Sequence, residues 1–358
     1  MPSTDDHPRR RPTMRDVARA AGVSPMTVSY AYSRPGRVSA DAAAKVRAAA
    51  EQLGYPGPDP TARSLRRGRV GSLGVVLGER LTYAFDDPQA ARFLSGVADV
   101  CASEGVGLTL LPTTGAETDV QRIAQAVVDG FVLWTTSDDD PVLDAVAGTG
   151  RPAVVHAGPA RAGLPVVGID DTAAATAIGR AAFAGAERPL VLGFPVDRDR
   201  QRLLVPAPEV GPIAFPVTRH RWTGMLDAWA EGGGAPEELR LATCSGNDAA
   251  EGEEVAYALL TGDDPPDAIA AMSDELALGA LRAAARAGLT VPDAVAVTGW
   301  DDSDAAVPAG LTTVAQSLRE QGAHCARVAL GGEVAGVERW EVVVRSTTRA
   351  DQNRGTGA

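Results

Sequence analysis

The groups best placed to do chemistry in this chain recognise rather than react. The stretch SPMTVSYAYS, residues 24–33, opens with Ser24, whose hydroxyl can cap a helix, and Pro25, whose fixed φ suits the first helical position. At helical spacing Val28 and Ala31 turn inward, which leaves Met26, Ser29 and Tyr30 facing out. Reactive constellations are missing. GSLGVVLG (71–78) lacks the GxGxxG fingerprint, and no GxxxxGK[ST], GxSxG, HExxH or paired-acid motif occurs. Cys101, Cys244 and Cys325 lie far apart with no ligand spacing, and they read as small buried hydrophobes of a reducing compartment. The expectation is a protein that is not an enzyme and uses no metal and no cofactor.

Charge says what the outward face could meet. The chain has 358 residues and a formal net charge of -12, yet residues 1–69 hold thirteen Lys/Arg against six Asp/Glu, while the rest hold 21 against 40. A basic head on an acidic body implies that only the head meets a polyanion. A solvated tail would explain Arg9, Arg10 and Arg11, but not basic residues spread through an ordered helical pattern. The first residues are polar with no apolar h-region, and no apolar run reaches the ~18–20 residues of a membrane span. No membrane and a cytoplasmic location are therefore expected.

The elements that position these groups follow from caps and periodicity. TMRDVARAAG opens with Thr13 and Asp16 at capping-box spacing and stops at Gly22. The helix from Pro25 follows after one tight turn, and SADAAAKVRAAAEQLG forms a third, with Val46, Ala50 and Leu53 on one face. Two short helices joined in this way have helix-turn-helix geometry, whose second helix enters the major groove of DNA. In YPGPDPTARSLRRGR (55–69), Asp59 and Pro60 can open two further helical turns, marginal alone in water. From Gly71 on, apolar runs such as SLGVVLG, LTLLP, GFVLWTT, PAVVHAG, RPLVLGF and DAIAAMS alternate with helical stretches such as PQAARFLSGVADVCASEG. This is the βαβ signature of a parallel sheet, long enough for two lobes with a ligand at the strand carboxyl ends.

The segment from Thr13 to Tyr55 resembles the DNA-binding headpiece of the lactose-repressor (LacI/GalR) family, through its DVA, AGVS, TVS and VS…KV elements. The resemblance implies that Pro25, Met26 and Tyr30 reach base edges. It sets Arg15, Thr27, Ser29 and Arg37 near phosphates, and counts Ser24 among the DNA-binding residues. Tyr30 departs from the family, which often has Arg there: tyrosine can stack or donate once but cannot make the bidentate contact with guanine. The resemblance also makes residues 56–69 a hinge helix, with Leu65 as a minor-groove wedge, Ala62 beside it, and Arg63 and Arg66 near phosphates. One extra residue separates Tyr55 from that helix relative to the usual spacing.

The body looks, more loosely, like the two-lobed type I periplasmic-binding-protein fold, through RWTGMLDA, AMSDELALGALRAAARAGLTVPDAVAVTGWDD and LTTVAQS. Carried over, the effector-facing positions are Arg221, Asn247, Ser273, Asp274 and Asp301, with Asp170 as a weaker candidate. Carboxylates and a forked donor at strand ends suit a polyhydroxylated ligand such as a sugar, although Asp170, Asp274 and Asp301 could equally cap the helices that follow. The family's aromatic platform is replaced by Gln89 and Ala90, with Tyr83, Phe85 or Trp300 as substitutes. His156 ends a strand and reads either as a satisfied strand-end histidine or as a cleft residue. The Pro-rich connection 195–218 has no role legible in the sequence.

The organisation expected is a basic tail (1–12), a helix-turn-helix headpiece (13–55), a hinge (56–69), a two-lobed α/β effector and dimerisation domain (70–348) and a polar tail (349–358). The function expected is a homodimeric transcription regulator, a repressor, that binds a pseudo-palindromic double-stranded DNA operator under control of a small-molecule effector, a carbohydrate. A protein or non-sugar effector, or a solute-binding protein with a basic leader, are the alternatives.

Overall fold

The computed structural model describes residues 12–57, 69–334, 336 and 338–349. The chain divides into two compact units, residues 1–70 and 71–358. The basic tail up to residue 11, the hinge positions Ala62, Arg63, Leu65 and Arg66, and the tail from residue 350 lie outside the described residues.

Among its described residues the first unit has three α-helices. α1 (Met14–Ala21) starts in a capping box: Thr13 Oγ1 accepts from the Asp16 amide, and Asp16 accepts from the Thr13 amide at 2.9 Å. It ends where Gly22 takes φ +63, a left-handed turn that a side chain would strain. α2 (Pro25–Ser33) is capped by Ser24, whose Oγ accepts from the Thr27 amide at 3.0 Å. α3 (Ala40–Leu53) is capped by Ser39. Among the described residues, Val17, Ala18, Val28, Val46, Ala49 and Ala50 form the buried core. These are small side chains, which is what lets three short helices approach closely. Leu53, expected on the inner face, is instead exposed.

The second unit contains two α/β lobes. In the first, β1 (Ser72–Leu77), β2 (Gly107–Pro112), β3 (Gly130–Trp134), β4 (Ala153–His156) and β5 (Val166–Val167) form a parallel sheet in the order β2-β1-β3-β4-β5. α4 (Pro88–Glu104) covers one face, and α5 (Glu117–Gln125) and α6 (Pro141–Gly148) cover the other. Both faces are covered, so strands such as SLGVVL read as continuous apolar runs: Leu73, Val75 and Leu77 serve one core and Val76 the other.

The second lobe starts with α7 (Asp171–Ala182) and β6 (Pro189–Gly193) and continues with β7 (Leu204–Pro206), α8 (Pro216–Glu231), β8 (Arg240–Thr243) and α9 (Ala249–Leu260). It goes on through β9 (Ala268–Ala271), α10 (Asp274–Arg286), β10 (Ala296–Asp301), β11 (Thr312–Gln316) and, near the end, β12 (Trp340–Val343). The sheet order is β12-β11-β10-β9-β6-β8-β7, with the two edge strands antiparallel. Between β11 and β12 the chain returns to the first lobe as α11 (Leu318–Ala329), whose Leu318, Cys325, Ala326 and Val328 join that lobe's core. The chain therefore crosses between lobes three times: at 168–170, at Ser317, and after α11. The close packing of α11 on α4 needs glycine: a Cβ on Gly96 would lie 1.9 Å from the Arg319 carbonyl oxygen, and one on Gly322 would meet the Phe93 carbonyl oxygen.

Candidate DNA-facing and effector sites

In the first unit the described residues predicted to meet DNA differ in exposure. Ser24, Pro25 and Met26 are exposed, Thr27, Ser29 and Tyr30 are half-buried, and only Val28 of α2 enters the core. Met26 keeps 59 % of its surface, an apolar side chain held out in water by its position on the helix. Arg15 and Arg37 are exposed. The capping that sets where α2 begins thus also decides which residues it presents.

In the second unit a cleft of about 680 Å³ opens between the lobes, lined from the carboxyl ends of β1, β3, β4, β6, β8, β10 and β11. Arg221 lies on the second-lobe wall. Gly224, one turn along α8, lets the helix approach α7 so closely that a Cβ there would clash with the Thr172 carbonyl oxygen. That approach brings Arg221 Nε within 2.9 Å of Asp171 Oδ1 at the start of α7. The guanidinium also donates to the Met272 carbonyl and lies 4.0 Å from the Trp300 ring centroid. Arg221 and Asp171 are both buried, so the charges neutralise each other in place of water.

Asp301 ends β10 with φ +106, and Asp302 follows at φ +48; a non-glycine pair in this region is strained and persists only because its surroundings hold it. Gln316 Nε2 donates to Asp301 Oδ1 at 2.7 Å, and Arg345 holds Asp302 at 2.6 Å. Burial pushes the Asp301 carboxyl well above the usual carboxylate range, with Arg221 pulling the other way. Asp87, Glu79 and Asp140, all lining the cleft, are likewise raised by burial.

Asn247 lines the cleft and bridges it, donating from Nδ2 to Asp87 Oδ2 at 2.5 Å while its Oδ1 accepts from Ser273 at 2.6 Å. Ser273, Asp274 and Asp170 are not lining residues, each for a local reason. Ser273 caps α10 and supports Asn247. Asp274 is consumed from both sides, by the Ser303 amide at 2.6 Å and the Thr313 hydroxyl at 2.7 Å. Asp170 caps α7 at the surface, and it is its neighbour Asp171 that lines the cleft. Of the aromatic substitutes, Tyr83 lines the cleft with its ring 6.0 Å from Trp134, whereas Phe85 is exposed and Trp300 is fully buried beneath Arg221. Phe194 and Phe215 face them from the second lobe.

The Pro-rich connection 195–218 contributes the mouth of the cleft. Arg198 donates to Ser137 at 2.7 Å and pairs with Asp139 and Asp140, and Arg200 pairs with Glu79 at 2.5 Å. Arg219 pairs with Asp138 just beyond. Second-lobe arginines on first-lobe acids hold the lobes together. The alternating DRDRQR was the available signal, but nothing in the sequence says which acids lie opposite.

A helix-turn-helix unit and a two-lobed α/β unit with a polar cleft, in one chain, define a DNA-binding transcription regulator with a small-molecule site. Residues 13–57 match the model of bacterial regulatory proteins of the lacI family, and residues 211–348 match that of a periplasmic binding protein-like domain. The HTH-type transcriptional regulator Rv3575c of Mycobacterium tuberculosis is 36 % identical over 341 residues, covering 94 % of this chain and 95 % of that protein. The ribose operon repressor of Escherichia coli is 29 % identical, covering 87 % of this chain and 89 % of its own. The lac repressor dimer bound to operator and the anti-inducer ONPF superposes with a TM-score of 0.72 at 22 % identity, over 95 % of this chain and all of that one. The chain belongs to the lacI family of regulatory proteins. Its relatives are DNA-binding regulators and not enzymes, and no helix among the described residues is long and apolar enough to cross a membrane.

Proposed function

We propose that this regulator is a repressor that acts as a homodimer on a pseudo-palindromic operator, and that a neutral polyhydroxylated molecule, a sugar or sugar derivative, controls its affinity. The observation that carries the effector class is the chemistry of the cleft. Asp87, Asp301 and Asn247 offer hydroxyl acceptors, Arg221 is a forked donor already neutralised by Asp171, and Tyr83 and Trp134 face Phe194 and Phe215 across the gap. Hydroxyl groups satisfy such acceptors, and the apolar faces of a sugar ring pack on aromatics. The name of the ribose operon repressor supports both the repressor reading and the sugar class, and the lac repressor dimer supports the homodimer.

Arg221, Asp301 and Asn247 contact the effector in this reading, with Ser273, Asp274 and Asp170 behind them as supports. Pro25, Met26 and Tyr30 read bases, Arg15, Ser24, Thr27, Ser29 and Arg37 hold the backbone, and Leu65 wedges the operator centre beside Ala62, Arg63 and Arg66. Binding of the effector across the lobes changes the spacing of the paired hinge helices; a coupling of about 1–3 kcal/mol suffices for a switch.

The test is operator binding by the full chain with and without a panel of pentoses, hexoses, disaccharides and linear polyols. At least one should shift operator affinity, and Arg221→Lys, which keeps the charge but loses the fork, should lose that response while still binding operator. Leu65→Ala should weaken specific operator binding far more than nonspecific binding. A normal response in Arg221→Lys removes the effector assignment, and equal losses on both DNAs in Leu65→Ala remove the wedge.

A further inference from the structure

Thr136 and His156 both line the cleft, and each keeps one side-chain atom, Thr136 Oγ1 and His156 Nδ1, buried behind that wall without a hydrogen-bond partner. They stand at the carboxyl ends of neighbouring parallel strands. β3 and β4 pair with Leu133 beside Val155, His156 is the next residue along β4, and Thr136 follows the end of β3. Thr136 keeps 1 % and His156 6 % of its surface. Folded proteins rarely keep such atoms unpaired, and where they do a missing partner is the usual reason.

The state of the His156 ring is set by a chain of hydrogen bonds that begins in the second lobe. Its Nε2 lies 2.7 Å from Gln321 Oε1. Gln321 Nε2 donates to Gln316 Oε1 at 2.9 Å, and Gln316 Nε2 donates to Asp301 Oδ1 at 2.7 Å. This chain runs through the crossover at Ser317, with Gln316 on one side and Gln321 on the other. In this chain Gln316 and Gln321 each present the amide oxygen to the next donor, and His156 Nε2–H is the last. Nδ1 is left as a bare acceptor. Burial holds the ring's pKa below its ordinary value, which keeps it neutral. Phe93 and Trp134 pack against the ring, with centroids 4.8 and 6.3 Å away.

We propose that Thr136 and His156 form a first-lobe polar subsite of the effector cleft, and that it takes a hydroxyl group, donating to His156 Nδ1 and accepting from Thr136 Oγ1. The proposal rests on reading the cleft as the effector site. An ionised carboxylate has no proton for Nδ1, and an ammonium cannot accept from Thr136, so the subsite takes a hydroxyl group rather than either. Gln316 and Gln321 are positioning residues that tie this subsite to Asp301 across the crossover.

The experiment is calorimetry of the full chain with D-ribose, D-glucose, D-galactose, cellobiose and sorbitol, together with 15N spectra of the histidine rings. One member should bind. His156→Phe and Thr136→Val should each weaken it about tenfold or more, the loss expected when a buried partner is removed. Gln321→Leu, which frees the tautomer, should weaken it by a smaller factor. In the probe-free protein His156 Nδ1 should carry no proton, and its resonance should move when the sugar binds. A proton on Nδ1, or a sugar lost by Arg221→Lys but held unchanged by His156→Phe and Thr136→Val, overturns the subsite alone. A panel in which nothing binds the unmodified protein overturns the reading of the cleft, and the subsite with it.

Discussion

Arg221→Leu gives the sharpest stability test of how the cleft is built. Leucine keeps most of the apolar bulk against Trp300 but leaves Asp171, 5 % exposed, without its cation. Removing one partner of a buried pair costs about 3–5 kcal/mol, because the remaining charge stays out of water. For a unit of this size that is roughly 6–10 °C in Tm, at about 2 °C per kcal/mol. The loss should depend on pH, with a sign set by Asp301. Its folded pKa is raised above the unfolded value, so it favours folding when protonated, and that contribution is lost as pH rises through the raised value. Arg221 opposes that rise, so removing it pushes the folded pKa higher still. The gap between Arg221→Leu and the unmodified protein should therefore grow as pH rises and shrink in acid, compared at pH 5 and pH 8. Adding Asp171→Asn should recover part of the loss, since a neutral amide tolerates the site. Thermal unfolding of the three proteins at both pH values is the assay. A shift under about 2 °C at pH 8, or a gap that widens in acid, would refute the buried-pair argument.

Other expectations test different parts of the molecule. Gly96→Ala places a methyl group against the Arg319 backbone, so α11 must move off α4; about 3 kcal/mol of destabilisation should appear as a roughly 6 °C fall in Tm. Arg200→Glu sets two acids against each other at the cleft mouth and should raise hydrogen exchange around residues 195–205; adding Glu79→Arg should restore protection, with a coupling of about 1–2 kcal/mol in a double-mutant cycle. Tyr30→Arg supplies the bidentate guanine contact and should change the half-site selected from a randomised operator library; an unchanged selection profile would mean that Tyr30 reads no base.

Much of the fold is written locally. Thr13, Ser24 and Ser39 cap helices, Gly22 and Gly54 end them, and each is readable because a cap acts within a few residues of itself. Nine strands stand out as apolar runs, and for the central ones the reason is that both faces of the sheet are covered. β7, β11 and β12 do not: two of them are edge strands with one partner, and β11 is TTVAQ, half of it polar. The family resemblance and the charge asymmetry carry the residues proposed to face DNA, since α2 holds several of them and its geometry is local.

The cleft is where sequence alone stops. An aspartate after a strand can cap the next helix or face a ligand, and the chain is the same in both cases. Only packing decides that Asp274 is spent on Ser303 and Thr313, that Asp171 rather than Asp170 meets Arg221, and that Trp300 lies under the guanidinium. The chain of hydrogen bonds from Asp301 to His156 joins residues far apart in sequence across a lobe boundary, and the arginines of 195–218 find their acids only when the lobes meet. Caps and apolar runs act over a few residues and so are determined by sequence alone. Pairing across the cleft depends on where two separately folded lobes bring their strand ends, which only the tertiary structure decided.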